Sequence, residues 1–169
     1  MKRIAILALA LLLTGCGKGE VFETMNDQIE AAPVAATQPM QIILPEEAAV
    51  ATWQSENGGK LFLCDGYTVT AHTTPSGDVN ATLLDATGFT KEALQPMQTC
   101  QGEFTRYDCV WTAAGEGEEQ VGRLALIDDG STHYVLTAMA PASLAGQLTD
   151  QWQQLFDAFS LGDPVSTGS

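Results

Sequence analysis

The segment VGRLALIDDGSTHYVLTAMA, residues 121–140, decides the fold of this chain. Residues 121–127 and 133–140 are two mostly apolar runs, and the Asp-Asp-Gly-Ser sequence between them favours a tight turn. The pattern predicts a β-hairpin that turns at Asp128, Asp129, Gly130 and Ser131.

A long helix is predicted directly after this hairpin. Apolar side chains recur there at the spacing that puts them on one helical face: Leu144, Leu148, Trp152, Leu155, Phe156 and Phe159. Ser143 is a candidate N-cap, and Gly162 and Pro164 are expected to end the helix. The apolar face predicts that this helix lies across the sheet and covers it.

Further strands are predicted at residues 41–44, 50–54, 60–64, 67–73 and 104–112, and short helices at residues 79–86 and 91–95. Asp65 and Gly66 suit a hairpin turn, and Thr90 is a candidate N-cap. We therefore predict an α+β fold. It consists of an antiparallel β-sheet covered by a C-terminal amphipathic helix plus one or two short helices, as a two- or three-layer sandwich.

The N-terminus resembles the signal peptide of bacterial lipoproteins. Lys2 and Arg3 precede an apolar run over residues 4–13, and the sequence Leu-Thr-Gly-Cys at residues 13–16 resembles a lipobox. The resemblance implies cleavage before Cys16 and attachment of a diacylglycerol to its sulfur. An ordinary secretory signal or a membrane-spanning helix are the alternatives, although the run is about half the roughly 20 residues that a span needs.

The domain organisation follows from composition. We predict a lipoprotein signal peptide at residues 1–15, the lipidated cysteine and a flexible tether at 16–39, a single α+β domain at 40–162 and a disordered tail at 163–169. The Gly, Pro, Ala and Thr content of the tether is typical of linkers. Val21, Phe22, Met25 and Ile29 fall at helical spacing, so a short amphipathic helix is an alternative there.

The charge balance excludes some functions. The whole chain has a formal charge of −14, and removal of Lys2 and Arg3 with the signal leaves five basic and 21 acidic side chains, or −16. Such a chain is repelled by phosphate backbones, which argues against nucleic-acid binding. We expect a lipid-anchored protein on the extracytoplasmic side of the cell membrane, held to the bilayer through acylated Cys16.

Cys64, Cys100 and Cys109 follow the anchor cysteine. An odd number of cysteines leaves at least one thiol unpaired within the chain, and whether any two form a disulfide stays open. No Cys-x-x-Cys pair occurs, so neither a thioredoxin-like site nor a zinc knuckle is indicated.

Few residues suggest a metal or a catalytic site. His72 and His133 could join Cys64 or Asp65 in a metal site, or orient a Ser or Thr nucleophile, but the spacing of known zinc and hydrolase motifs is absent. A calcium site is an alternative at a group of acidic residues: Glu116, Glu118, Glu119, Asp128 and Asp129. The acidic group is better explained as a solvated rim, so we predict no metal and no cofactor.

Three aromatic residues are a candidate ligand groove. Tyr107, Trp111 and Tyr134 could line a groove for a peptide or a glycan, because aromatic rings are common anchors. Core packing beneath the last helix is the alternative explanation.

The end of the chain resembles PsbP-like and DcrB-like domains. The resemblance rests on the patterns of residues 129–138 and 152–161, within the range 104–161. It implies an α/β/α-type sandwich of the kind found in small extracytoplasmic or lumenal accessory proteins, which are commonly lipid-anchored and not catalytic. No functional residue is carried over, because these families share no catalytic motif.

These observations favour a non-catalytic binding or accessory module of the cell envelope, whose partner is another envelope protein. The alternatives are a hydrolase or metal-dependent enzyme with residues dispersed in the sequence, and a structural spacer without a partner.

Overall fold

The predicted hairpin lies at the centre of a seven-stranded antiparallel sheet. The computed structural model describes residues 38–54, 59–114 and 117–163. The predictions for the signal peptide, for Cys16, for nearly all of the tether and for residues 164–169 lie outside these ranges.

The described strands are β1 (Met40–Gln41), β2 (Ala49–Gln54), β3 (Lys60–Cys64), β4 (Tyr67–Pro75), β5 (Met97–Gln101), β6 (Phe104–Ala114), β7 (Glu119–Asp128), β8 (Thr132–Pro141) and β9 (Ser160–Leu161). The helices are α1 (Val79–Thr87), α2 (Lys91–Leu94) and α3 (Ala145–Ala158), with a 3-10 turn at Ala142–Leu144 before α3. The large sheet has the order β2-β3-β4-β8-β7-β6-β5, and β1 pairs with β9 in a separate two-stranded sheet.

Turn chemistry sets the register of the central hairpin. The Asp129 carboxylate accepts the backbone N–H of Ser131 at 2.8 Å and that of Thr132 at 2.7 Å. Gly130 has a φ of 87°, a left-handed conformation that favours glycine. These contacts close the turn so that Leu126 lies opposite Val135.

Both faces of the sheet are covered by helices. Strands β7 and β8 show why, because Leu124, Ala125, Leu126 and Ile127 are all 0% exposed although consecutive strand residues point to opposite faces. Helix α3 packs on one face, which we call the α3 face, and α1 packs on the other, the α1 face. The α+β prediction is confirmed, and of its two layer arrangements the structure has the three-layer one.

The limits of the last helix differ from the prediction. Ser143 does not cap α3; it lies in the 3-10 turn, and its hydroxyl donates to Glu118 at 3.4 Å. The helix ends at Ala158, before Gly162, because Phe159 turns into extended backbone with its ring completely buried. This turn lets β9 pair with β1.

Two strands were not predicted correctly. Residues 41–44 were predicted as one strand, but only Met40–Gln41 pairs, because β9 supplies only two residues to pair with. Strand β5 was missed, because the exposed sequence Met-Gln-Thr-Cys-Gln shows no alternation of apolar and polar residues. By contrast Thr90 caps α2 as predicted, accepting the Ala93 N–H at 3.3 Å.

No helix within the described ranges is both long enough and apolar enough to cross a membrane.

Gly122 leaves the space that the Trp111 ring occupies. The two residues lie opposite each other on β7 and β6. A Cβ atom on Gly122 would be 2.3 Å from the nearest Trp111 ring atom, which is closer than real Cβ contacts. The absence of a side chain at Gly122 therefore allows the indole to pack against the backbone of β7 on the α1 face.

We predict that Gly122→Ala lowers the free energy of unfolding by about 1–3 kcal/mol, because the added methyl group overpacks the Trp111 site. The matched control is Gly146→Ala in α3, where a Cβ meets nothing within 4 Å. That control should stabilise the protein slightly, since alanine favours a helix. Urea unfolding measures both, and equal stabilities of the wild type and Gly122→Ala would contradict the packing.

Candidate functional site

A cavity of about 540 Å³ lies between residues 38–44 and strands β3 and β4. We call it the Lys60 cavity. Its lining comes from both sides: Gln38, Pro39, Met40, Ile42, Leu44, Lys60, Phe62, Ala71, His72 and Thr73. The volume falls in the range of roughly 300–1,000 Å³ that small-molecule sites occupy.

The lining has an apolar body and one cation. Met40, Ile42, Leu44 and Phe62 supply aliphatic and aromatic surface, and Lys60 is exposed at the start of β3. None of the lining residues that the structure describes is acidic, although the chain has 21 acidic side chains. Such a cavity suits a ligand with an apolar body and an anionic end.

Residues 38–44 form the outer wall of the cavity, and two backbone contacts hold them. Met40 and Gln41 pair with Leu161 and Ser160 in the small sheet. The Gly162 N–H donates to the Pro39 carbonyl at 2.9 Å. The wall therefore depends on the conformation of the chain after α3.

Tyr134 holds the same wall from inside the protein. Its hydroxyl accepts the Gln38 N–H at 2.9 Å and donates to the Asp129 carboxylate at 2.9 Å, while its ring is completely buried. Burial raises the pKa of Tyr134, and the negative Asp129 adds to the rise. A neutral tyrosine hydroxyl thus bridges the central hairpin turn to the cavity wall.

The Asp129 carboxylate is held in its charged form. Burial alone would raise its pKa, but hydrogen bonds from Ser131, Thr132 and Tyr134 outweigh that effect and lower the pKa below its ordinary value. The carboxylate therefore remains an acceptor for Tyr134 at neutral pH.

Arg106 fixes the chain where α3 ends. Its guanidinium donates to the carbonyls of Phe156 at 2.8 Å and Phe159 at 3.2 Å. Two further bonds, at 2.8 and 3.0 Å, join it to both carboxylate oxygens of Asp108. A cation at a helix C-terminus satisfies carbonyls that have no partner within the helix. Arg106 thereby sets the direction in which β9 leaves α3.

The three predicted groove residues do not meet in one groove. Tyr107 and Trp111 are buried on the α1 face, whereas Tyr134 is buried on the α3 face. The reason is strand parity, since Tyr107 lies in register with Leu126 and Val135, the neighbour of Tyr134. Of the three, only Tyr134 lies on the α3 face, and it contributes to the Lys60 cavity through its hydrogen bond to Gln38 in the cavity wall.

His133 belongs to a buried hydrogen-bond network. Its Nδ1 lies 2.8 Å from the Thr82 hydroxyl, and its Nε2 lies 3.4 Å from the Ser76 hydroxyl and 3.7 Å from Asp128. The Ser76 hydroxyl donates to Asp128 at 3.0 Å, and the His133 side chain is 0% exposed. This geometry differs from a Ser-His-Asp catalytic triad, because the Ser76 hydroxyl donates its hydrogen bond to the Asp128 carboxylate and not to the histidine. The network joins α1 to the central hairpin.

The predicted metal alternatives do not assemble within the described residues, and Glu116 lies outside them. His72 and His133 lie on the same face of adjacent strands. Cys64 is the last residue of β3 and pairs with Tyr67, at the opposite end of β4 from the Thr74 that pairs with His133. Glu119 and Asp128 are at opposite ends of β7, about 30 Å apart. The described residues contain no group of three His, Cys, Asp or Glu that could hold a metal ion.

Three cysteines in the described part of the chain are free thiols. Cys109 is buried on the α1 face, where desolvation raises its pKa to about 11. Cys64 is partly buried and Cys100 is exposed on β5.

Comparison with known proteins identifies a shared fold but no family. No model of a known protein family matches the chain, and no curated protein matches it in sequence. The crystal structure of LpqN, which is involved in cell envelope biogenesis of Mycobacterium tuberculosis, matches with a TM-score of 0.52 at 13% identity. That match covers 83% of this chain and 96% of LpqN.

A crystal structure from Bacteroides thetaiotaomicron VPI-5482 matches with a TM-score of 0.51 at 10% identity, over 73% of this chain and 45% of that one. The chain thus spans less than half the length of the Bacteroides protein. At these identities both similarities show the fold alone.

Sequence reasoning missed the Lys60 cavity. Residues 41–44 were predicted as a strand of the main sheet. In the structure they lie outside that sheet, and Ile42 and Leu44 line the cavity. The signal that could have found the cavity is Lys60 itself, the one basic residue between Lys18 and Lys91.

We predict that Tyr134→Phe loosens the wall of the Lys60 cavity, because the Gln38 N–H and the Asp129 carboxylate both lose a partner. Amide hydrogen exchange at Gln38 should accelerate about five- to tenfold if the bond contributes about 1–1.5 kcal/mol. Thr99→Val, on the opposite edge of the sheet, serves as the control. Unchanged exchange at Gln38 would show that Tyr134 does not hold the wall.

Proposed function

We propose that this protein is a lipid-anchored, non-catalytic binding module of the bacterial cell envelope. Its domain binds an envelope component with an apolar body and an anionic end in the Lys60 cavity. The single observation that carries the proposal is this cavity of about 540 Å³, with apolar walls and one lysine, in an otherwise acidic chain.

The N-terminal sequence supports the proposal of a lipid anchor. The Leu-Thr-Gly-Cys sequence at residues 13–16 resembles a lipobox, and the following residues have linker composition. Two acyl chains on Cys16 would hold the protein stably, since each buried methylene contributes about 0.8 kcal/mol. An acidic surface would keep the domain away from anionic headgroups. The anchor therefore positions the cavity in the envelope without burying it in the bilayer.

Charge and shape support the ligand class. An anionic group at Lys60 would gain an ion pair where no acidic lining residue competes, and the ligand's apolar part would replace water along Met40, Ile42 and Phe62. The fold similarity to LpqN, whose described role is in cell envelope biogenesis, is compatible with an envelope setting. The partner that delivers or receives the ligand is proposed to be another envelope protein.

The anchor is tested with Cys16→Ser. We expect the wild-type protein to partition into the detergent phase and to carry a diacylglycerol mass on Cys16, whereas Cys16→Ser loses both because serine offers no sulfur. Phase separation and mass spectrometry of the purified proteins measure this. Equal partitioning of the two proteins would contradict the anchor.

The ligand class is tested with two fluorescent probes on the full chain carrying Cys16→Ser. Anilinonaphthalene sulfonate has an apolar body and an anionic end, and N-phenylnaphthylamine has a similar body without the charge. We expect Lys60→Gln to weaken binding of the sulfonate about three- to tenfold, the value of a partly exposed ion pair, and to leave the neutral probe unchanged.

Lys91→Gln is the matched control, because Lys91 stacks on Tyr107 on the α1 face, away from the cavity. Ala71→Leu should weaken both probes, since its larger side chain fills the cavity. Equal loss of the sulfonate in Lys60→Gln and Lys91→Gln would refute the assignment of Lys60.

A further inference from the structure

A second groove lies on the α3 face at the other edge of the sheet. Its volume is about 470 Å³, and it is lined by residues from β5, β6, β7 and the end of α3: Met97, Thr99, Cys100, Gln101, Arg106, Asp108, Arg123 and Asp157. We call it the Arg123 groove. It is separate from the Lys60 cavity, because β5 and β3 are on opposite sides of the central strands.

Among the residues that the structure describes, strand β5 forms an edge of the sheet. It pairs there with β6 on one side and with no strand on the other, so alternate residues direct their N–H and C=O groups away from the sheet. Its five residues, Met-Gln-Thr-Cys-Gln, carry no charge and no proline, and the register with β6 is continuous. Edge strands are usually protected by charges, prolines or bulges. The other edge strand, β2, has such an irregularity between Val50 and Gln54.

Arg123 is a cation with hydrogen-bonding capacity to spare. Its guanidinium stacks on the Phe156 ring at 4.5 Å, and it makes no hydrogen bond or ion pair with any residue in the described ranges. Arg106 differs, because it donates to Asp108, Gln101, Phe156 and Phe159. Stacking holds the Arg123 side chain in place with its donors available to a ligand.

The charged and apolar side chains of the Arg123 groove indicate the chemistry of its ligand. Two of the four Lys and Arg side chains in the described part of the chain line this groove, namely Arg106 and Arg123, while Lys91 stacks on Tyr107 on the opposite face of the sheet. Met97 and Val110 are 63% and 61% exposed on the same face as Arg123. The acidic Asp157 lines the groove without an ion pair in the described structure.

We propose that β5 binds an extended segment of a partner protein by strand addition, with a Glu or Asp side chain of that segment bound to Arg123. The backbone of the segment would pair with the free edge of β5, which gives affinity independent of sequence. Its carboxylate would form a bidentate pair with the guanidinium, and its neighbouring apolar side chains would cover Met97 and Val110. A second copy of this chain is disfavoured as the occupant, since each copy has a formal charge of −14.

The test uses two synthetic peptides, acetyl-Val-Thr-Glu-Thr-Val-Thr-amide and the same peptide with Gln in place of Glu. With the full chain carrying Cys16→Ser, the Glu peptide should bind about three- to tenfold more tightly than the Gln peptide. Binding should also slow amide hydrogen exchange in β5, because strand addition protects its outward N–H groups. Equal binding of the peptides, no saturable binding, or unchanged exchange in β5 would overturn the proposal.

Variants that are expected to change peptide binding in opposite directions distinguish a binding role of Arg123 from a role in stability alone. Arg123→Gln should abolish the difference between the Glu and Gln peptides, and Arg123→Lys should restore part of it. Asp157→Asn should strengthen binding of the Glu peptide about twofold or more, because it removes a nearby like charge. Asp65→Asn is the matched control, because Asp65 is exposed in the turn between β3 and β4, far from β5, and asparagine before Gly66 also suits that turn. It should leave the binding of both peptides unchanged.

Weaker Glu-peptide binding in Asp157→Asn, or equally strengthened binding in Asp65→Asn, would overturn the role of Arg123. The molecular mass of the protein in solution should not increase with protein concentration when no peptide is present. Such an increase would indicate that the β5 edge binds a second copy of the chain, and it would overturn the assignment to a partner segment.

Discussion

Burial of the central hairpin on both faces is the constraint on which the rest of the structure depends. Strands β7 and β8 present completely buried side chains to the α3 face, such as Ile127 and Leu136, and to the α1 face, such as Leu126 and Val135. Each such side chain contributes about 1.5–3 kcal/mol when removed from water. A single helical layer would leave the apolar side chains of one face exposed to water, so helices from before and after the hairpin are both needed to cover the sheet.

The covering helices leave the sheet edges open, and both proposed binding sites lie there. At one edge, residues 38–44 form the wall of the Lys60 cavity, held by the Tyr134 hydroxyl and by pairing with β9. At the other edge, α3 ends beside β6, where Arg106 binds its last carbonyls and Arg123 stacks on Phe156. The contacts that end the helix therefore also shape both edges. In the part of the chain that the structure describes, Lys60 lines one of these sites and Arg106 and Arg123 line the other, which is why we assign anionic ligands to both.

Much of the fold was predictable because its signals are local. The Asp-Gly turns, the alternation in residues 104–112 and the apolar face of α3 each depend on neighbouring residues, and all three are present in the structure. The candidate sites were less predictable. Tyr107 and Tyr134 are both aromatic strand residues, but register places them on opposite faces. Strand β5 lacks an apolar pattern because its side chains are exposed, so only its pairing with β6 defines it.

The sequence by itself determined the α+β class, the central hairpin, the covering helix and the acidic charge, because these follow from periodicity, turn residues and composition. Only the tertiary structure decided that helices cover both faces, that α3 stops at Ala158, and that residues 38–44 enclose a cavity with Lys60. Those features arise from contacts between residues far apart in the chain, such as Arg106 with Phe156 and Gln38 with Tyr134. Such contacts depend on the order of the strands in the sheet and on pairing between strands distant in sequence, which no local pattern encodes.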